Sequence, residues 1–599
     1  MVQSQDPSNN REALASVISV SGSQATVGLP AASVDANDGR ATVGKFLAIY
    51  SGPAVLVGMV TDVSIETPII ARELGYVATA KLDLMGEIRT TEERGRAFQR
   101  GVTEYPAIGD PAHLLSGADL RLVYDMSGAD SIDLGQLQQD PAIRAHINVN
   151  EMLCKHFAVL GTTGVGKSSG VALILQTVLE RRPDLRILLL DGHNEYGRCF
   201  GDKAQVLNPR NLKLPFWLFN FEETIDVIFG GRPGVDDEVE ILAEVIVAAK
   251  SNYTQYKNSN DRAATLKRLD ARSTGYTVDT PVPYRLQDLV ALIDERMGKL
   301  ENRSSRMHYH RLITRIEAVR NDPRYAFMFD NANVGGDTMG DVLRQLFRIP
   351  PSGKPMTVMQ LAGFPAEVVD SVVSVLGRMA FEFGLWSDGA VPILFVCEEA
   401  HRYASADRSI GFGPTRKAIS RIAKEGRKYG VFLGLVTQRP AELDATIISQ
   451  CSTLFVMRMA NDRDQALVRS AVSDAAANLL SFVPSLGTRE VLAFGEGVAL
   501  PTRLKFAQVP DHLLPRSEAV ANASGSVNSS APDFIDTVID RWRGAMMSQK
   551  QRLEDAPSDF REETPPLAPT GLDPERFKLL KKPLEPAADA FGAGSLLRR

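Results

Sequence analysis

The chain has 599 residues, 44% of them hydrophobic, and a formal net charge of −6. Its length exceeds what a single hydrophobic core supports, so we predict several domains. The slightly acidic balance excludes a protein that binds nucleic acid through its overall charge, so any DNA contact needs a local basic surface.

Cysteine usage and the N-terminus indicate the compartment. Cys154, Cys199, Cys397 and Cys451 lie far apart and form no CxxC pair, which predicts reduced, mostly buried thiols. The first residues lack a basic and apolar signal pattern, and no run of 18 apolar residues occurs in the sequence. We therefore expect a soluble, cytoplasmic protein with no membrane partner.

The N-terminal part contains short segments that are rich in β-branched residues and broken by Gly, Ser and Pro: 12–28, 43–63, 75–88 and 118–124. This spacing predicts a small β-barrel or sandwich over residues 1–140. Because no catalytic constellation stands out there, we expect a docking or assembly role.

From residue 156 the pattern becomes that of a parallel α/β sheet. An apolar run, a Gly-rich loop, a helix-like stretch (168–182) and a second apolar run (186–191) form a βαβ signature. Further buried strands are predicted at 357–361, 392–397, 431–436 and 453–457. We assign an α/β core to 141–233 and 351–510.

Two other regions flank or interrupt this core. Residues 234–350 read as amphipathic helices, which predicts a helical insertion. Residues 511–599 contain one plausible helix (533–547) and a Pro- and Glu-rich tail, which predicts a linker or an arm that orders on a neighbouring subunit.

The Gly-rich loop carries the clearest chemistry. Gly161-Thr162-Thr163-Gly164-Val165-Gly166-Lys167-Ser168 matches the P-loop pattern G-x-x-x-x-G-K-[ST]. In this pattern backbone N–H groups wrap the phosphates, Lys167 neutralises β/γ-phosphate charge, and Ser168 binds Mg²⁺. We expect ATP and Mg²⁺ as ligands, with Ser169 beside them. The alternative is a Gly-rich turn with an exposed lysine.

Polar residues follow two of the predicted strands. Glu398 and Glu399 come directly after 392–397, and we assign Glu398 to Mg²⁺ and Glu399 to activation of the attacking water. Gln438 follows 431–436 and can sense the γ-phosphate or orient water. The alternatives are a solvated acidic loop and a helix-capping loop.

A basic segment begins at Pro414. As a helix it places Lys417, Arg421, Lys424 and Lys428 along one stripe, which could face DNA, a neighbour's ATP or only solvent. Arg427, after a glycine at the helix end, is the best arginine-finger candidate.

Acidic and imidazole side chains also occur near these motifs. Asp191 and Glu195 close the strand after the P-loop helix, and either a ligand role or a structural role in a turn fits them. His193 and His401 have no visible partner, so we expect neither to bind a metal.

The order of these motifs along the chain and the residues within them resemble those of the HerA family of the FtsK/HerA superfamily. The resemblance covers most of 10–545 through segments such as KHFAVLGTTGVGKSS, DGHNEYG, CEEAHRY, SRIAKEGRKYG and TQRPAELDATIISQC. It implies a RecA-like P-loop ATPase core of α/β class with a helical insertion, preceded by a small β-barrel. Glu398 stands where many relatives have Asp, which bears on the geometry of its site.

The resemblance also implies how such a protein works. It implies a hexameric ring that translocates double-stranded DNA, with Arg427 acting in trans and Lys155 near nucleotide phosphates, although arginine is the residue expected at that position. It further implies a separate partner, such as a NurA-type nuclease or a sirtuin-like or other defence effector, and the barrel is the natural docking surface. The rival interpretation is an ATPase scaffold that regulates a toxic effector with little translocation. A P-loop kinase or GTPase switch is disfavoured by the paired glutamates and the chain length.

Overall fold

The protein is described from a computed structural model. The described residues are 13–30, 40–65, 75–91, 95–126, 128, 130–259, 275–329, 336–408, 411–472, 477–516 and 539. All of them belong to one compact unit, Met1–Met546. The predicted helix at 533–547 and the tail after it lie outside the described residues, except for position 539. In the described part, every helix is too short or too polar to span a bilayer.

The N-terminal strands form a closed antiparallel barrel. They are β1 (Ala15–Ser21), β2 (Gln24–Pro30), β3 (Phe46–Ser51), β4 (Ala54–Ser64), β5 (Tyr76–Thr91), β6 (Gly95–Arg100) and β7 (Pro111–Leu114). Their order is β2-β1-β7-β3-β4-β5, and β2 pairs with β5 to close the ring, while β6 extends from β5. Register shifts in β4 bend the strand as closure requires.

Two expectations for this region are wrong. Residues 118–124, predicted as a strand, lie in the helix α1 (Gly117–Tyr124), whose start is capped by the Ser116 side chain accepting from the Asp119 N–H. The capping serine and helical hydrogen bonds outweigh the strand-like run of apolar residues. The barrel also ends before residue 140, because the next strands, β8 (Ser131–Leu137) and β9 (Arg144–Asn148), belong to the core sheet, where β8 pairs with β18 (Thr502–Phe506).

The core is a mixed sheet. Its remaining strands are β10 (Phe157–Leu160), β11 (Arg186–Asp191), β12 (Ala204–Leu207), β13 (Met356–Gln360), β14 (Ile393–Cys397), β15 (Val431–Thr437), β16 (Thr453–Val456) and β17 (Glu490–Gly495). The order is β12-β13-β11-β14-β15-β10-β16-β17-β18-β8-β9. In this order, the first seven strands, from β12 through β16, are mutually parallel, and the last four are joined by antiparallel pairing. The α/β class is therefore confirmed.

The predicted core strands are each found within one residue or so of their expected bounds. They are continuous apolar runs because both faces of a parallel sheet are covered, and every residue of β10 is buried. Gly434 in β15 leaves room for the ring of Phe157, since a Cβ there would lie 2.8 Å from that ring.

The helices pack around this sheet. They are α2 (Val149–Cys154), α3 (Lys167–Arg181), α4 (Phe221–Phe229), α5 (Asp236–Ser259), α6 (Leu286–Gly298), α7 (Arg303–Asn321), α8 (Ala326–Phe329), α9 (Met339–Phe347), α10 (Val369–Trp386), α11 (Gly413–Glu425), α12 (Ala445–Ile448) and α13 (Asp462–Ala471). Helices α5 to α9 fall within the predicted insertion, between β12 and β13. Three of the four cysteine thiols are buried, as predicted.

Candidate functional site

The loop between β10 and α3 forms one wall of the candidate site. Gly166 adopts φ 93° as the N-cap of α3, and a Cβ on Gly161 would lie 2.7 Å from the Met457 Cβ. Both positions therefore need glycine. The N-terminus of α3 directs free backbone N–H groups toward the loop, which is the arrangement that binds phosphate.

Neighbouring parallel strands end at this same edge. Leu160 of β10 pairs with Thr437 of β15, and Cys397 of β14 pairs with Leu435. The residues that follow these strands therefore lie together at the carboxyl edge, where open α/β sheets bind ligands.

A cavity of about 560 Å³ opens at this edge. It is lined by Thr162, Thr163, Gly164, Gly166, Lys167, Ser168, Ser169, His193, Glu195, Glu398, Glu399, Gln438, Thr488 and Pro515. The structure thus brings together most of the predicted site residues. Gly161 and Val165 shape the loop without lining the cavity, and Val165 is fully buried.

Lys167 and the two glutamates form the charged centre of the cavity. The ammonium nitrogen of Lys167 lies 3.5 Å from Oε1 of Glu399, and both side chains are buried. Within the described residues, Lys167 Nζ, Glu398 Oε2 and Glu399 Oε2 are buried without a hydrogen bond. Buried polar groups are nearly always satisfied, so these atoms fit a site completed by a polar ligand.

The cavity carries more negative than positive charge. Burial, reinforced by the nearby carboxylates of Asp191 and Glu195, raises the pKa of Glu398 to about 8, against the opposing effect of Lys167. Such an excess favours a divalent cation. No cluster of three or more His, Cys, Asp or Glu among the described residues could hold a metal by itself. Mg²⁺ is usually held in proteins by one or two protein groups, water and phosphate oxygens.

Asp191 and Glu195 have different roles. The Asp191 carboxylate accepts the backbone N–H groups of Glu195 (3.1 Å) and Tyr196 (2.9 Å), so it stabilises the turn. Glu195 lines the cavity and accepts a hydrogen bond from the Ser168 hydroxyl at 3.2 Å. The structural interpretation fits Asp191 and the ligand interpretation fits Glu195.

Arg427 and Lys155 lie at the opposite edge of the sheet. Lys155 precedes β10, where it pairs with Glu496, and Arg427 lies in the turn Gly426–Tyr429 that precedes β15. Arg427 is exposed, and the described part of the chain gives it no ion-pair partner. Because β15 alone spans roughly 20 Å at the usual strand rise, neither side chain reaches this cavity.

The predicted basic stripe is only partly continuous. Helix α11 ends at Glu425, so Lys428 lies in the following turn and not on the helix. Lys417 lies 3.3 Å from Glu222, and Arg421 lies 2.7 Å from Glu382. These two side chains are partly neutralised, whereas Lys424 is exposed.

Two cavity residues were not predicted from the sequence. Thr488 and Pro515 line the cavity although they are far from the P-loop in sequence. Thr488 is held there because the Arg489 N–H donates to the Val165 carbonyl at 2.9 Å, and Pro515 because the Arg516 N–H donates to the Glu195 carbonyl at 3.1 Å. These are long-range backbone contacts, which leave no local sequence signal.

Known proteins are similar to this chain in sequence. Residues 132–380 match the family model described as the central domain of helicase HerA. The chain is 27% identical over 432 residues to the DNA double-strand break repair helicase HerA of Pyrococcus furiosus, covering 66% of this chain and 72% of that protein. Its identity to the protein of the same description from Sulfolobus acidocaldarius is 25%, covering 78% and 86%. The chain is therefore similar to proteins of the HerA family.

The HerA match begins one residue into β8, so it agrees with the observed start of the core and not with a boundary at residue 140. A solved structure of VirB4 from Thermoanaerobacter pseudethanolicus is also similar, with a TM-score of 0.45 and 15% identity, covering 64% of this chain and 98% of that one. With the P-loop, the paired glutamates and this similarity to HerA proteins, the chain is a P-loop ATPase.

Proposed function

We propose that this protein is an ATP-driven translocase of double-stranded DNA that works as a ring. The resemblance to the HerA family implies six subunits. The observation that carries the proposal is the separation of Lys167 and Arg427. They lie at opposite edges of one sheet, so a site that uses both needs two subunits. A closed ring supplies every cavity with an arginine from its neighbour.

The side chains suit hydrolysis of a phosphate anhydride. The P-loop backbone and Lys167 would hold the β- and γ-phosphates, while Ser168 and Glu398 would hold Mg²⁺, which adds charge neutralisation when bound. The Glu399 carboxylate would orient the attacking water and accept its proton. Gln438, which follows the adjacent strand, would contact the γ-phosphate or the water, and Arg427 of the next subunit would stabilise charge in the transition state.

DNA as the substrate is supported by the curated relatives, whose descriptions name them as DNA double-strand break repair helicases. Exposed cations without carboxylate partners in the described chain, such as Lys424 and Arg427, could contact phosphates. A separate nuclease or defence effector would dock on the barrel, whose described residues form no catalytic constellation.

A triplex-displacement assay tests this function. Wild-type protein with ATP and Mg²⁺ should displace a third strand from duplex DNA, and Lys167→Ala should not. The assay is repeated with the candidate partner protein, and the assembly mass is measured with and without it. ATP hydrolysis without displacement in either condition would instead favour the regulatory scaffold.

A further inference from the structure

His401 connects the paired glutamates to the neighbouring strand. It lies in the turn Ala400–Arg402, directly after Glu399, and its side chain is 11% exposed. Its Nδ1 atom lies 3.0 Å from the Thr437 hydroxyl and 3.3 Å from Glu399 Oε2. Thr437 ends β15 and immediately precedes Gln438, so one ring nitrogen faces both polar strand ends.

The surroundings determine which ring nitrogen of His401 carries the proton. A lone pair on Nδ1 would face the Glu399 carboxylate at 3.3 Å and would be repelled. A proton on Nδ1 is attracted to the same oxygen and can also be donated to Thr437. Burial, the first cause, lowers the pKa of His401, against the raising effect of Glu399, so the neutral Nδ1–H ring is favoured.

Glu399 is held in an unusual conformation. Its backbone has φ 50° and ψ 44°, which is the left-handed region, and such strain occurs in non-glycine residues mainly where surrounding contacts impose it. Its carboxylate lies between Lys167 on one oxygen and the His401 ring on the other.

We propose that His401 is a positioning residue that fixes the Glu399 carboxylate relative to the Thr437–Gln438 end of β15. The Glu399 carboxylate, which activates water, and the Gln438 amide, which contacts phosphate or water, are then held at a fixed distance and orientation to each other. Loss of this link leaves nucleotide binding intact, because the P-loop and Lys167 do not depend on it, but misplaces the carboxylate. The proposal rests on the assignment of ATP hydrolysis to this cavity.

Two substitutions separate positioning from simple packing. His401→Asn can keep an amide donor near the Nδ1 position, whereas His401→Gln places its amide nearer to Nε2. Since small misplacements of catalytic groups are costly, we expect His401→Gln to lower kcat by roughly tenfold or more with KM within about twofold, and His401→Asn to recover most of kcat. His310→Asn, an exposed histidine on α7, is the matched control and should behave as wild type.

Thr437→Val tests whether His401 acts through its contact with the Thr437 hydroxyl. If His401 acts through this strand end, the double variant His401→Gln/Thr437→Val should be no slower than the slower single variant. Affinity for a non-hydrolysable ATP analogue and the melting temperature are measured for every variant, so a loss of fold is recognised.

The outcomes are distinguishable. If Glu399→Gln hydrolyses ATP normally, the assignment of the cavity itself fails. If Glu399→Gln is inactive while folded His401→Gln keeps wild-type kcat, only the role of His401 is overturned. Equal losses in His401→Asn and His401→Gln, or a loss confined to KM, would also overturn it.

Discussion

Lys167 and Glu399 face each other at the carboxyl edge of the sheet, with the ammonium nitrogen 3.5 Å from the carboxylate oxygen Oε1. Both groups are buried, and no hydrogen bond satisfies Lys167 Nζ or Glu399 Oε2 within the described residues. Each is therefore available to a different part of the same ligand: Lys167 to phosphate oxygens and Glu399 to the water that attacks them.

This pair predicts two separable phenotypes. Glu399→Gln keeps the size of the side chain but removes the proton acceptor, so hydrolysis should fall by a factor of roughly 10² to 10⁴ while ATP still binds. Lys167→Ala removes the charge that holds the phosphates and should lose affinity as well. Phosphate release and binding of a non-hydrolysable ATP analogue measure the two effects. Hydrolysis by Glu399→Gln at the wild-type rate would falsify the assigned role.

Arg427 provides the second prediction. Arg427 lies at the edge of the sheet away from its own cavity, so we expect it to act on the cavity of a neighbouring subunit. Arg427→Ala should therefore abolish ATP hydrolysis without changing ring assembly. Arg320→Ala, an exposed arginine on α7, is the control and should keep activity.

Mixed rings show whether Arg427 acts between subunits. Arg427→Ala subunits retain an intact cavity, and Glu399→Gln subunits retain the arginine, so mixing the two inactive proteins should restore part of the turnover. An absence of restoration, with mixing verified by mass measurement, would contradict action in trans.

The buried ion pair on α4 predicts a stability difference. Glu223 is fully buried and lies 2.8 Å from Arg378 of α10, and it also accepts from the Ser374 hydroxyl at 2.7 Å. Arg378→Ala leaves this carboxylate without its cation, which should lower the free energy of unfolding by about 3–5 kcal/mol.

An adjacent exposed pair provides the control for that measurement. Lys417 lies 3.3 Å from Glu222, and both side chains are more than half exposed. Lys417→Ala should therefore change the free energy of unfolding by less than about 1 kcal/mol. Denaturant unfolding of both variants checks the contrast, and equal losses would show that burial of Glu223 is not the cause.

The sequence predicts those parts of the fold that have a local residue pattern. Continuous apolar runs mark the buried parallel strands, and the P-loop spacing fixes a strand, a turn and a helix together. The helix at Gly117–Tyr124 is not predicted because its run of apolar residues resembles a strand and its decisive feature is the capping contact from Ser116. Strands β8 and β9 pair with each other, as do β17 and β18. The sequence does not predict that these two hairpins belong to the core sheet, because β18 joins β8 across more than 360 residues of sequence.

Some residues of the candidate site follow from a local sequence pattern, and others reach it only through long-range contacts. Residues at strand ends are predictable, because parallel strands place their carboxyl ends along one edge. Thr488 and Pro515 are not, since they reach the cavity through backbone contacts to Val165 and Glu195. Nor does any pattern in the sequence show that His401 contacts the Thr437 hydroxyl.

The buried imidazole of His156 predicts how stability varies with pH. Its Nδ1 accepts the Leu433 N–H at 2.9 Å, so its Nε2–H donates to the Ala423 carbonyl at 3.0 Å. A second proton would have to occupy Nδ1 against the Leu433 donor. Burial, with a smaller effect from nearby Arg427, accordingly lowers the pKa of His156 from 6.5 to about 4.

A lowered pKa means that the unfolded chain binds the proton more readily. The contribution of neutral His156 is therefore complete above pH 6.5 and is lost progressively as the pH falls from 6.5 toward 4. Between pH 7 and pH 5 this loss amounts to about 2 kcal/mol of the free energy of unfolding. His156→Gln cannot titrate, so it should be less stable at pH 7 but show a smaller decrease between the two values. Denaturant unfolding at both pH values measures the difference, and parallel decreases in the two proteins would contradict this role for His156.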